Sequence, residues 1–385
     1  MALRAIACLP ALIGAWRDLG GGICRTMAWA AWNPLNLAAV ERTDLAPPGV
    51  RTVNMVQLGR ALTELDPPVL AFVVYNSNPA AIAPDQNRVL AGLCREDLFT
   101  VAIEQFMTDT ARHADLVLPA TTQVEHLDLV PSWGHAYLTL NLPAIAPVGE
   151  CLPNSEIFRR LAARMGFDDP CFRDGDEDLV RQALDSDHPF MEGVTLERLR
   201  REGWVRMAIP EDWRPFAEGG FGTPSGKCEL HAPRLAELGL DPLPRWDPAP
   251  ESPAGDPQRA ARFPLALVGS KSALHFLNSS YANLPRHLRA EGEPHVDIHP
   301  DDAGRRGVAD GAWVRLRNDR GVVLARARVG DRVRPGVVAI PSGWWASLSP
   351  GGSSVNALTA DGLSDLGGGG DFHDTLVEVE PAPGS

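Results

Sequence analysis

The sequence predicts an α/β domain with a doubly wound, mostly parallel sheet, followed by an all-β barrel domain. Strand-like and helix-like segments alternate between residues 69 and 118, and short strand-like segments follow one another closely after residue 262. Alternation of this kind is typical of βαβ units, whereas closely spaced short strands are typical of a barrel. A proline-rich stretch separates the two patterns. We therefore expect an α/β domain over residues 1–205, a connecting arm over 206–261 and a barrel over 262–385.

Composition limits the class of protein. The chain has 385 residues, 44% of them hydrophobic, and a net charge of −13, which argues against a nucleic-acid surface because such a surface needs a basic patch. No two of the six cysteines lie within three residues of each other, so no C-x-x-C signature for zinc or an iron–sulfur cluster is present. Scattered cysteines are typical of free thiols in a reducing compartment. We expect a cytoplasmic protein, and a periplasmic location is not excluded.

The apolar N-terminus permits two interpretations. Residues 1–15 combine Arg4 with an apolar run of the length found in signal peptides. Pro10 interrupts that run, however, and Trp16 follows where a small-residue cleavage site would be needed. We prefer an amphipathic helix that ends near the glycines at 20–22. Since no stretch reaches roughly 18 apolar residues, we expect no membrane span.

The first predicted strand is the run Val-Leu-Ala-Phe-Val-Val-Tyr at residues 69–75. A continuous apolar run favours a central parallel strand that is buried on both faces. We predict a helix and two further strands after it, over residues 84–94, 98–103 and 115–118. Polar segments follow the first two strands, at 76–79 and from Glu104 onward. Ligands of open α/β sheets bind at such carboxyl ends, but no G-x-G-x-x-G supports an ordinary NAD or FAD site.

The second predicted domain begins with an apolar strand that ends at Gly269 and continues into a loop rich in hydroxyl groups. The predicted strands are residues 263–268, 296–298, 313–317, 322–329 and 337–340. Residues 318–321 indicate a hairpin turn, and a short helix is expected after His299. We interpret these strands as a small barrel.

Several motifs then identify a family resemblance. The loop after Gly269, the segments Ser354–Gly362 and Asp371–Val379, the stretch Thr108–Ala120 and the turn Gly220–Leu230 together resemble the C-terminal portion of the molybdopterin oxidoreductases, the dimethyl sulfoxide reductase superfamily. The resemblance implies that the barrel is a double-psi β-barrel. It also implies a molybdopterin guanine dinucleotide cofactor, in the bis form, with molybdenum or tungsten. Backbone N–H groups, small hydroxyls, amides and a few cations suit such a ligand.

Cofactor-binding residues are carried over only where the motifs match. They are Asn78, Glu104, Gly269, Ser270, Lys271, Ser272, His275, Phe276, Asn278, Asn356 and His373. A carboxylate such as Glu104 can accept two hydrogen bonds from a guanine edge. His373 stands where many relatives carry lysine, which leaves a fixed positive charge there in doubt. We expect these residues to converge on one cleft.

The sequence departs from the family in one respect. We find no cysteine motif for an iron–sulfur cluster, no candidate protein ligand for the metal and no assignable catalytic residue. We therefore expect the C-terminal part of an oxidoreductase that carries out oxygen-atom or hydride and electron transfer, completed by an N-terminal catalytic portion or a partner subunit, and inactive alone. The alternative is a non-catalytic cofactor-binding or scaffold subunit. An adjacent reading frame that encodes the missing motifs would favour the enzyme; the substrate is left open.

Overall fold

The structure, a computed structural model, describes residues 1–24, 32–272 and 276–383. The chain forms two compact units, and each unit combines two separate stretches of sequence. The first contains residues 1–50 and 120–246, and the second contains residues 51–119 and 247–385. The domain boundaries expected at about residues 205 and 262 were inferred from the order of motifs along the chain. They stay a prediction.

The described α-helices are mostly short. In chain order they are α1 (Ala2–Leu12), α2 (Leu37–Glu41), α3 (Leu58–Glu64), α4 (Pro79–Ile82), α5 (Gln86–Leu93), α6 (Asn154–Met165), α7 (Asp176–Leu184), α8 (Leu196–Glu202), α9 (Pro233–Glu237), α10 (Pro257–Arg262), α11 (Pro285–Glu291) and α12 (Pro300–Arg306). The expected N-terminal helix is present as α1. It ends at Leu12 rather than near residue 20, and Gly14 follows in the left-handed region with φ 74°.

A parallel sheet in the second unit consists of β1 (Ala71–Tyr75), β2 (Phe99–Glu104) and β3 (Leu116–Pro119). The prediction that residues 69–75 form a central strand buried on both faces is wrong. Within the described residues β1 pairs with β2 alone and is an edge strand. Apolar residues of α3 and α5 pack with Phe72 on one face of the sheet. Successive side chains of a strand point to opposite sides, and on the other face Val73 and Phe99 are exposed, whereas Ile103 is buried.

The predicted barrel is present in the same unit. It is formed by β7 (Leu265–Lys271), β8 (His295–Ile298), β9 (Trp313–Arg317), β10 (Val322–Val329), β11 (Val337–Ser342) and β12 (Leu376–Pro381), in the closed order β10-β8-β11-β7-β12-β9. Its interior is apolar: Leu267, Val296, Val314, Val338 and Val377 are fully buried. The hairpin between β9 and β10 is also present, with Arg317 opposite Val322.

The first unit contains an antiparallel sheet that the sequence analysis missed. Its strands are β4 (Asp128–Pro131), β5 (Tyr137–Asn141) and β6 (Trp204–Arg206), in that order. Leu138 and Leu140 of β5 pack with Leu199, Val205 and Met207 in a buried apolar cluster. The alternation of apolar and polar residues in β5 could have predicted this strand from the sequence.

Candidate functional site

The second unit contains a cavity of about 300 Å³ beside β7. It is lined by Met55, Ala81, Ile82, Leu267, Gly269, Lys271, Asn278, Ser342, Gly343, Val355, Asn356, Thr359, Phe372 and His373. Five residues selected from the sequence therefore surround one space: Gly269, Lys271, Asn278, Asn356 and His373. They come from three separate regions of the sequence, which the barrel and its loops bring together.

Strand β7 supplies the first side of the cavity. The sequence analysis ended this strand at Val268, but β7 continues to Lys271 because residues 269–271 pair in parallel with residues 340–342 of β11. A Cβ atom placed on Gly269 would meet no other atom within 4 Å. The backbone at residue 269 therefore has open space beside it, where a Cβ atom would be. Lys271 Nζ donates a hydrogen bond to Asn278 Oδ1 at 2.6 Å, which places a cation at the edge of the same space.

A glycine and a tryptophan hold the loop that carries Asn278. Gly343 has φ 106°, and a Cβ atom there would collide with the carbonyl oxygen of Asn278. Asn278 itself has φ 53°, a left-handed conformation that asparagine tolerates. The indole Nε1 of Trp345 donates to the buried carbonyl oxygen of Ser279 at 2.8 Å. These contacts fix the backbone around residue 278.

Asn356 has its side chain engaged within the protein. Its Nδ2 donates to the carbonyl oxygen of Ala81 at 2.9 Å, and its Oδ1 accepts from Thr359 Oγ1 at 3.2 Å. The fully buried Gln86 supports the same region, since its Oε1 accepts from the backbone N–H of Ser354 at 3.0 Å. Asn356 therefore positions this side of the cavity.

Asn78 and Glu104 lie at the carboxyl end of the parallel sheet and are not among the described lining residues. Asn78 is buried; its Oδ1 accepts hydrogen bonds from the N–H and the hydroxyl of Thr110, while its Nδ2 is a buried donor without a partner. Burial raises the pKa of the Glu104 carboxyl, although the backbone N–H of Gln105 donates to its Oε1 at 2.7 Å.

The other selected residues have different surroundings. Ser270 lies in β7 outside the described lining, and Ser272 donates to Glu291 Oε2 at 2.9 Å. Phe276 packs edge-on against Trp344 with ring centroids 5.3 Å apart. His373 lines the cavity and is exposed. His275 lies outside the described residues.

The end of β11 and the segment that follows it contribute to the site and were not predicted from the sequence. Ser342 and Gly343 line the cavity, and Asp109 accepts hydrogen bonds from the N–H groups of Ala346 and Ser347 at 2.6 and 3.3 Å. The signal in the sequence was a serine and a glycine just beyond the predicted strand, after Pro341.

Two features are absent from the described residues. They contain no cluster of three or more histidine, cysteine, aspartate or glutamate side chains arranged to hold a metal ion. Likewise, none of the helices in the described parts of the chain combines the length and hydropathy needed to span a membrane.

Comparisons with known proteins add to this geometry. The family model "Molybdopterin oxidoreductase" matches residues 19–164, and the model "Molydopterin dinucleotide binding domain" matches residues 265–376. The probable oxidoreductase YoaE of Bacillus subtilis is 40% identical over 382 residues, which cover 99% of this chain and 54% of that protein. The dimethyl sulfoxide reductase DmsA of Escherichia coli is 34% identical over 310 residues, covering 73% of this chain and 37% of that protein.

A solved structure is similar over most of the chain. It is the acetylene hydratase from Pelobacter acetylenicus, with a TM-score of 0.70 and 25% sequence identity, over 92% of this chain and 51% of that one. This chain thus spans about half the length, or less, of YoaE, DmsA and the acetylene hydratase.

Proposed function

Because this chain belongs to the molybdopterin oxidoreductase family, we propose that the cavity beside β7 holds part of a molybdopterin guanine dinucleotide. The match of the dinucleotide-binding model to residues 265–376 supports the proposal, since those residues include β7 and most of the cavity lining. We include three further points in the same proposal. The barrel has a double-psi connection, the cofactor is in the bis form, and its metal is either molybdenum or tungsten.

The residues present fit such a ligand. Small-molecule pockets measure roughly 300–1,000 Å³, so a cavity of about 300 Å³ suits one part of a dinucleotide. Gly269 leaves open space in the lining, which the flat face of a ring can occupy. Asn78 lies outside the described lining, and its buried Nδ2 is a donor without a partner.

Each group has a limited role in this proposal. Lys271 would pair its ammonium group with a phosphate, and Asn278 orients that ammonium through the 2.6 Å hydrogen bond. Asn356 and Gln86 keep the cavity wall in place. Glu104, at the end of β2, would accept hydrogen bonds from guanine outside the described cavity. The bound cofactor would supply the oxygen-atom or hydride and electron transfer.

We further propose that this chain is the cofactor-binding part of an oxidoreductase, with the metal ligand and the rest of the cofactor site supplied from outside this sequence. The greater length of the relatives supports this proposal, since this chain matches 54% of YoaE and 37% of DmsA. The alternative is a cofactor-binding subunit without catalysis. The substrate stays open, because the relatives include both a sulfoxide reductase and an acetylene hydratase. We also propose a cytoplasmic location, which the six free cysteines support.

The chain offers a matched test of the phosphate assignment, because its two lysines are Lys227 and Lys271. We predict that Lys271→Ala weakens binding of isolated molybdopterin guanine dinucleotide by about tenfold or more, since a hydrogen bond to a charged group contributes roughly 1.5–3 kcal/mol. Titration followed by pterin fluorescence measures the affinity. Lys227→Ala, in the other unit, is the control and should bind as the unmodified chain does. Equal affinities of the two variants would contradict the assignment.

A further inference from the structure

We propose that Cys8 and Cys228 form a reversible disulfide that links helix α1 to the segment around residue 228. The sequence separates these cysteines by most of the first unit, and the scattered pattern of the six cysteines predicted free thiols. In the structure both are free, and the neighbouring Cys8 side chain acts directly on the Cys228 thiol, whose pKa it raises.

A second set of contacts supports the juxtaposition. Arg4 lies one helical turn before Cys8, on the same face of α1. The Arg4 guanidinium donates to the carbonyl oxygens of Glu229 and Leu230 at 3.2 and 2.8 Å. These bonds hold that face of α1 against the residues that directly follow Cys228. The hydrogen bonds of Arg4 therefore help to keep the two thiols near each other.

The two thiols differ in access to solvent. Cys8 is buried, with 7% of its surface exposed. Cys228 lines a cleft of about 1130 Å³, together with Trp16 and Phe221. An oxidant can therefore reach Cys228 first through the cleft. Burial and the neighbouring Cys8 raise the pKa of Cys228, while Arg4 lowers it.

The chemistry balances with a low-molecular-weight disulfide as the oxidant. The Cys228 thiol loses a proton, and its thiolate attacks one sulfur of oxidised glutathione, which releases one glutathione thiolate and leaves a mixed disulfide. The Cys8 thiol then loses its proton, attacks Cys228 Sγ and displaces the second glutathione thiolate. The protein loses two electrons and two protons, and one glutathione disulfide becomes two thiols.

The consequence is a covalent tether on α1. The bond would close a loop of more than 200 residues, and a cross-link over a long loop stabilises mainly by restricting the unfolded chain. We expect oxidation to raise the thermal midpoint of the first unit by roughly 5–10 °C. Reduction with dithiothreitol should reverse the increase.

The test uses the full 385-residue chain incubated with oxidised glutathione, then denatured, alkylated and digested with trypsin. Cleavage after arginine and lysine places Cys8 in the peptide 5–17 and Cys228 in the peptide 228–234, each with a single cysteine. We expect these peptides to be linked, with a mass two hydrogens below their sum. Cys228→Ser should abolish the linked pair, and Cys8→Ala should leave Cys228 as a glutathione mixed disulfide. Cys151→Ser is the control that keeps the link.

Two outcomes would overturn the proposal. In one, Cys8 is recovered alkylated while Cys228 carries glutathione in the unsubstituted chain. In the other, Cys228 is linked to a different cysteine. Both are read from the unsubstituted protein, so neither depends on whether the variants at the buried Cys8 fold.

Discussion

At the scale of single residues, Asp371 is a carboxyl group in an unfavourable environment. Its Oδ1 is buried without a hydrogen-bond partner. Burial raises the pKa of Asp371, and the nearby carboxylates of Glu251 and Asp361 add to the rise, which Arg320 partly offsets. A folded-state pKa above the unfolded value means that folding favours the protonated acid, so its contribution to stability is present at low pH and is lost as the pH rises through the folded pKa.

We predict that Asp371→Asn raises the midpoint of urea unfolding at neutral pH, because the amide carries no charge to bury. The advantage over the unsubstituted chain should shrink as the pH falls and disappear below about pH 4, near the reference pKa of 3.8 for aspartate. Unfolding curves at several pH values measure the difference. The control is Asp331→Asn on the exposed turn between β10 and β11; a variant of Asp371 that is less stable at pH 7 would contradict the prediction.

Residue types also explain why only part of the cavity could be predicted. Gly269, Lys271 and Asn278 stand in one short motif, and a resemblance to a family is sufficient to select them. Gly343 has no comparable motif; its importance follows from its φ of 106° and from the closeness of the Asn278 carbonyl oxygen, both of which depend on the folded backbone. The hydrogen bond between Asn356 and Ala81 likewise joins residues 275 positions apart.

At the scale of elements, one face of the parallel sheet is covered and the other is exposed around Val73 and Phe99. Val73 of β1 is 47% exposed and Phe99 of β2 is 52% exposed, whereas Val74, adjacent to Val73, is 6% exposed. Parallel sheets are ordinarily covered on both faces. An exposed apolar face of this kind favours association with another polypeptide or aggregation.

Adjacent valines provide a matched pair of substitutions for this sheet. We predict that Val74→Thr lowers the free energy of unfolding by about 1–3 kcal/mol, because it buries a hydroxyl without a partner. Val73→Thr has the same size and should change it by less than about 0.5 kcal/mol, since residue 73 is exposed. Urea unfolding measures both values. Equal costs would mean that the face carrying Val73 is covered.

The strands differ in how well the sequence predicts them. The barrel strands β9 and β10 begin and end where the sequence predicts. The turn at residues 318–321 sets the end of β9 and the start of β10. The burial of residues 69–75 was not predictable in the same way. A run of apolar residues shows that the segment is hydrophobic. Whether both faces of the strand are covered depends on elements from other parts of the chain.

At the scale of the whole molecule, the second unit combines residues 51–119 with the barrel. The order of motifs along the chain does not reveal this grouping, because it depends on long-range contacts such as the one between Arg60 and Asp361, at 2.8 Å. The cavity depends on the same grouping, since Met55, Ala81 and Ile82 contribute to its lining.

We predict that the purified chain alone lacks stoichiometric metal and does not turn over substrate. The reason is the proposed dependence on a further portion, since this chain matches only 54% of YoaE and 37% of DmsA. Elemental analysis for molybdenum and tungsten, combined with a dye-linked activity assay, tests this expectation. Coexpression with the part of YoaE that this chain does not match is the positive control. Turnover by the monomeric chain with bound metal would refute the prediction.

The central claim, that the cavity beside β7 holds the dinucleotide, is tested most directly by filling that cavity. The Cβ atom of Gly269→Leu would meet no other atom within 4 Å, at a residue that lines the cavity. Gly304→Leu makes the same change at an exposed residue of α12, where a Cβ atom also meets none. We predict that Gly269→Leu reduces the affinity for molybdopterin guanine dinucleotide, measured by pterin fluorescence, by at least tenfold, while the Gly304→Leu variant binds as the unsubstituted chain does. Unchanged binding by a folded Gly269→Leu variant would contradict the claim.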